Sequence, residues 1–106
     1  MKQRVVITGL GVVAPNGVGV PAFLNAIKKG ESGITFQQKL KDLNFSCQVG
    51  GVPIISEAQK RAYFTPLQLR NFHSNGILYG VIAGMEALKD AGIRPALEKE
   101  DALWNL

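Results

Sequence analysis

The stretch VVITGLGVVAPNG, Val5 to Gly17, decides how this chain folds, because it admits two incompatible readings. Its Gly9-Leu-Gly11-Val-Val-Ala14 fits the spacing of a dinucleotide-binding turn. That turn requires a strand, a tight glycine bend and then a helix whose N-terminus faces a pyrophosphate. Val5 to Ile7 predict the strand, but Pro15 would fall within the first turns of the helix and steers Ala14 away from helical dihedrals. Asn16-Gly17 adds a turn signal. The stretch therefore reads as a strand continued past its glycines through Val12-Val13, with a turn at Pro15 to Gly17. The glycines need an explanation other than a phosphate.

Downstream, Val20, Phe23, Leu24 and Ile27 follow the i, i+3, i+4, i+7 spacing of a helix. Pro21 suits its first position, Lys28-Lys29 complement its C-terminal dipole, and Gly30 offers the left-handed cap. Residues 31–44 are polar with little periodicity and predict a surface connection. Phe45, Cys47 and Val49 alternate with Ser46 and Gln48, predicting a strand over 45–52 that Gly50-Gly51 and Pro53 break. A short helical piece is expected from Ile55, ended or interrupted by Pro66. A long helix follows from about Gln68 to Ala91, with Phe72, Leu78, Tyr79, Ile82, Met85 and Leu88 on its core face. Gly92 closes it with Ile93 beside the cap, and Pro95 prevents continuation. Gly76, Gly80 and Gly84 line up inside this helix, each costing about 1 kcal/mol relative to alanine, so a close backbone contact is expected against them.

At 106 residues, the chain suffices for one small unit with one core. Its 46% hydrophobic content and 12 glycines indicate a globular α/β chain and exclude a disordered one. One Cys excludes a disulfide framework and, with one His, a zinc cluster of the usual ligand count, so no metal or cofactor is expected. No apolar run approaches the ~20 residues of a membrane span, and no signal-peptide pattern is present, which predicts a cytoplasmic protein. The net charge of +4 divides into +6 through Arg70 and −2 beyond it. The cations are scattered, which argues against nucleic acid and suits an acidic protein partner or an anionic ligand.

No catalytic set assembles from these residues. Cys47 falls at an inward position of the expected strand and reads as a buried structural thiol. His73 lies early in the expected long helix with no carboxylate at helical spacing to orient it. Glu86 and Asp90, four residues apart with Lys89 between them, read as a solvated, partly balanced face. The run Glu98 to Asp101 reads as a polar loop.

Three ordered motifs carry a resemblance: VVITGLG running into the Pro-Asn-Gly turn, GESGI at Gly30 to Ile34, and YGVIAGMEALKDAGI at Tyr79 to Ile93. Together they resemble the N-terminus of elongating, type II β-ketoacyl-acyl carrier protein synthases, over essentially the whole chain. The resemblance implies an α/β fold, the N-terminal part of a thiolase-like layered α-β-α-β-α arrangement, with residues 1–106 an incomplete portion of that domain. It implies a homodimeric parent that condenses a malonyl-carrier thioester with an acyl group held on a cysteine, by transfer, decarboxylation and Claisen attack. It also gives the early glycines a role in close packing of a core strand.

In that family the nucleophilic cysteine, two histidines and a lysine lie further downstream, so the resemblance places all four beyond Leu106. Neither Cys47 nor His73 matches a family catalytic position, and the 106 residues are expected to be inactive alone. Before the long helix, where relatives often carry basic residues followed by Met-Asp, this chain has Leu69-Arg70-Asn71-Phe72-His73-Ser74. Lys60, Arg61 and Arg70 are the candidate docking residues for the acidic acyl carrier protein. The departure keeps open an alternative, a non-condensing partner subunit of the chain-length-factor kind that pairs with a true synthase. Uncovered strand edges and apolar helix faces predict self-association or element swapping of the isolated chain.

Overall fold

The computed structural model describes residues Lys2–Arg94. The stop expected at Pro95 and the polar loop expected over Glu98 to Asp101 lie outside the described residues. Chemistry local to the chain explains the first elements. Strands β1 (Val13–Ala14) and β2 (Gly17–Val18) form a two-residue hairpin about Pro15-Asn16, with Val13 opposite Val18 and Ala14 opposite Gly17. The turn expected at Pro15 to Gly17 is present, and no helix springs from the glycines. Helix α1 (Val20–Lys29) follows, with Pro21 in its first turn. It ends on Gly30 at φ 70°, where the amides of Gly30 and Glu31 reach back to the carbonyls of Ile27 and Ala26. That pair of bonds is the 5→2 and 6→1 pattern of a glycine-closed helix.

The strand expected at Val5 to Ile7 is not formed. Residues 2–11 make no main-chain to main-chain hydrogen bond among the described residues, and Val5 and Ile7 are 94% and 83% exposed. β-branched propensity cannot create a strand where no neighbouring strand offers a ladder. The apolar stripe of α1 is corrected likewise. Ala26 is its buried residue, Val20 and Phe23 are half-buried, and Leu24 and Ile27 are exposed.

The region expected to be a plain connection holds β3 (Ile34–Phe36) and α2 (Gln38–Asp42). β3 pairs antiparallel with β4 (Val49–Gly51), setting Ile34, Thr35 and Phe36 opposite Gly51, Gly50 and Val49. Gly50 and Gly51 thus complete this strand, where they were expected to break it, and its expected first half is irregular. Gly51 abuts Pro15: a Cβ there would stand 2.9 Å from that ring's Cβ. Bare backbone is what lets this hairpin approach the first turn.

Two helices precede the last one. Ser56 and Gln59 form a reciprocal capping box at the start of α3 (Glu57–Tyr63), and Thr65 and Gln68 do the same for α4 (Pro66–Asn71). Pro66 therefore opens a helix, since its missing N–H costs nothing in the first turn. The expected long helix is divided. Phe72 and Ser74 are extended, and the Ser74 hydroxyl accepts a bond from Gly76 N–H at the start of α5 (Asn75–Asp90). Gly92 at φ 74° closes α5, with Gly92 N–H bonded to Lys89 O and Ile93 N–H to Leu88 O. The core is small. Phe64, Leu78 and Ile82 are buried together, with Phe72, Tyr79, Val13, Val18, Ile55 and Leu69 packed around them. The Phe64 and Phe72 rings meet edge to face at 5.1 Å.

Candidate functional site

The glycine-rich stretch is defined by what it lies against. Gly9 and Gly11 sit on the alanine row of α5: a Cβ at Gly9 would overlap Ala87 O and stand 2.7 Å from Ala91 N. One at Gly11 would overlap Ala83 O and stand 2.8 Å from Ala87 N. Two residues of extended chain advance ~6.6 Å and four residues of helix ~6 Å, so alternate strand positions keep step with every fourth helical one. The expectation that these glycines serve backbone-on-backbone packing is met.

Polar groups follow the same matched spacing. Leu10 N–H donates to Asp90 Oδ2 at 3.0 Å, and Val12 N–H donates to Glu86 Oε1 at 3.1 Å. Glu86 also accepts from Val20 N–H, at 3.0 Å to Oε1 and 3.2 Å to Oε2. The pair read from sequence as a solvated face is therefore a two-point clamp on main-chain donors. It replaces, along one edge, the ladder that a neighbouring strand would supply. The signal was a strand with an i, i+2 rhythm and a helix with carboxylates at i, i+4; only their docking joins the two.

The other singled-out residues do not converge. Cys47 is exposed, and its Sγ–H points at Val49 O at 3.7 Å, which corrects the buried reading: position 47 precedes the paired strand and has no inward face. His73 is exposed in the break between α4 and α5. A Cβ at Gly80 or Gly84 would meet nothing within 4 Å, and one at Gly76 would meet only its own cap, Ser74 Oγ, at 3.4 Å. The contact expected on that glycine row is thus not made among the described residues.

The three basic residues fall in the last turns of two successive helices: Lys60 and Arg61 in α3, Arg70 in α4. Arg61 and Arg70 are exposed. Lys60 is half-buried and pairs with Glu57 Oε1 at 3.4 Å, the ion pair formed among the described residues. It also borders a cavity of about 140 Å³ with Asn75, Leu78 and Tyr79. Larger openings of about 590 Å³ and 410 Å³ lie beside Tyr63, Met85 and Arg94, and beside Leu10, Val20 and Glu86. None of them gathers a nucleophile with a base. No helix of the described residues is long and apolar enough to cross a membrane.

The family described as β-ketoacyl synthase, N-terminal domain, matches residues 2–105. A tetracenomycin polyketide synthase ketoacyl synthase beta subunit from Streptomyces glaucescens is 36% identical over 97 residues, 92% of this chain and 22% of the relative. The 3-oxoacyl-[acyl-carrier-protein] synthase 1 of Escherichia coli strain K12 is 32% identical over 93 residues, 88% of this chain and 22% of the enzyme. The synthase 1 of Buchnera aphidicola from Schizaphis graminum is 32% identical over 92 residues, 87% of this chain and 22% of the enzyme. The chain thus spans about a fifth of the length of the curated relatives it matches.

Proposed function

The chain belongs to the β-ketoacyl synthase family, and on that premise we propose that it is the N-terminal portion of a protein that condenses malonyl-acyl carrier protein with an acyl thioester. In that reaction the acyl group passes from its carrier thiol to a cysteine outside these residues, beyond Leu106. The malonyl thioester then loses carbon dioxide, and the resulting carbanion attacks the acyl carbonyl and expels the cysteine thiolate. The observation that carries the reading is the match to 3-oxoacyl-acyl carrier protein synthases over 87–88% of this chain. The glycine-on-alanine seam supports it physically, since it seats an extended segment on a helix as the first step of a layered, thiolase-like fold.

In this reading residues 1–106 contribute architecture, and the chain alone is inactive. The thin core and the exposed Val5, Ile7, Leu24 and Ile27 are faces that further layers of the synthase would cover. Arg61 and Arg70, with Lys60, are the cations that attract the acidic carrier protein. Their contribution is long-range attraction, because Lys60 is already partnered by Glu57. The setting is the cytoplasm, and the working form is a homodimer or a heterodimer of synthase subunits. The 106-residue chain by itself self-associates or exchanges elements between copies.

The test is a single-turnover assay on the whole protein with malonyl- and acyl-carrier substrates. Release of carbon dioxide with formation of the 3-oxoacyl carrier supports the reading, and no product in the presence of a competent carrier refutes it. A further variant carrying Lys60→Glu, Arg61→Glu and Arg70→Glu should raise the KM for carrier protein by about tenfold at low salt, less at high salt. An unchanged KM would remove these residues from docking. The 36% identity to a polyketide synthase beta subunit favours one second reading, a non-condensing partner that shapes a synthase cavity. A whole protein inactive alone, but required for product formation by a companion synthase, would establish it.

A further inference from the structure

We infer that Glu86 is a joint: one carboxylate that holds the N-terminal segment and the start of α1 on α5, so that the two detach together and not one at a time. Helix α1 has no cap of its own. Its N-cap is Gly19, which has no side chain to offer, and its first turn holds no acidic residue. The first amide of a helix has no intrahelical acceptor, so Val20 N–H needs one from elsewhere. Glu86 supplies it from 66 positions downstream, with both carboxylate oxygens in reach at 3.0 Å and 3.2 Å.

The same Oε1 accepts Val12 N–H at 3.1 Å, and Val12 O accepts Gly19 N–H at 2.9 Å. Val12, Gly19, Val20 and Glu86 thus close a ring in which each main-chain segment is tied both to the other and to the carboxylate. The approach depends on Gly19 at φ 95°, where a Cβ would stand 3.1 Å from Glu86 Oε2. Asp90 provides the contrast, holding Leu10 N–H alone, at an exposed site. Lys89 and Asp90 are the other charged groups lining the opening beside Glu86, and neither bridges the two segments among the described residues.

Amide exchange read residue by residue on the whole protein tests the joint. Glu86→Ala should speed exchange at Val12 and Val20 by the same factor, roughly ten- to a hundredfold for loss of bonds to a charged acceptor. Ile82 should keep its rate. Asp90→Ala should act on Leu10 and leave Val20 unchanged. Unequal responses at Val12 and Val20, or an equal rise at Ile82, would overturn the inference. Should the variant prove too unstable to read, the native chain in graded low urea gives the same decision. Val12 and Val20 merging into one opening supports the joint, and two separate openings refute it.

Discussion

The two halves of α5 carry similar rows of small residues and meet opposite fates. Seven residues of helix return to within about 20° of the same direction, so Gly76 and Gly80 lie in line with Ala83 and Ala87. Over the C-terminal half, Gly9 and Gly11 press onto the alanines closely enough to exclude a methyl group. Over the N-terminal half, Gly80 faces open space and Gly76 meets only its own cap, Ser74 Oγ. Close approach is thus provided from the strand side: the extended segment is bare, while the helix keeps alanine, its best former. The segment also runs antiparallel to α5, since Gly9 sits at Ala87 and Ala91 and Gly11 at Ala83 and Ala87. Residues before Gly9 therefore pass the helix end at Asp90, which is why Val5 and Ile7 are uncovered.

The contrast can be broken most sharply at Gly11. Gly11→Val should destabilise the chain by about 3 kcal/mol, because the new side chain meets the Ala83 and Ala87 backbone, which cannot yield. Urea unfolding with an unchanged slope would measure it, and a cost below about 1 kcal/mol would mean that the seam does not hold the segment. A smaller effect is expected in the open half. Ser74→Ala removes the hydroxyl that accepts Gly76 N–H at 3.2 Å and should cost about 1 kcal/mol, read as lost protection at the first amides of α5. The smallest effect has the opposite sign. Gly80→Ala adds a methyl group where nothing stands and should stabilise the chain by about 0.5–1 kcal/mol, seen as a rise in the urea midpoint. Destabilisation by that same change in the whole protein would show that another layer rests on the open row.

Structure is legible in the residues wherever the deciding group sits within a few positions of the feature it controls. The Pro15 to Gly17 turn, the Gly30 and Gly92 closures and the core positions Leu78 and Ile82 are all of this kind. Three further local signals escape a reading by apolar periodicity: Thr65 to Gln68 and Ser56 to Gln59 are capping boxes, and the periodicity through Phe72 masks the cap at Ser74. The pairing of Ile34–Phe36 with Val49–Gly51 is a different kind of miss, because a three-residue strand has too few alternations to announce itself without its partner. The basic residues Lys60, Arg61 and Arg70 are visible as charges, but that one is held by Glu57 and two stand exposed is a property of the helices that carry them.

By itself, the order of residues determined that the chain turns at Pro15, that a helix carries Pro21 in its first turn, that helices stop at Gly30 and Gly92, and that the chain belongs with the β-ketoacyl synthases. The turn and the helix ends depend on dihedral limits and cap donors, which act over a turn or less. Only the tertiary structure decided that Gly9 and Gly11 rest on Ala83, Ala87 and Ala91, and that Glu86 and Asp90 serve main-chain amides and not water. The reason is physical: a carboxylate binds whichever donors folding brings to it, and Val12 and Val20 come within 3.1 Å of Glu86 from 74 and 66 positions away.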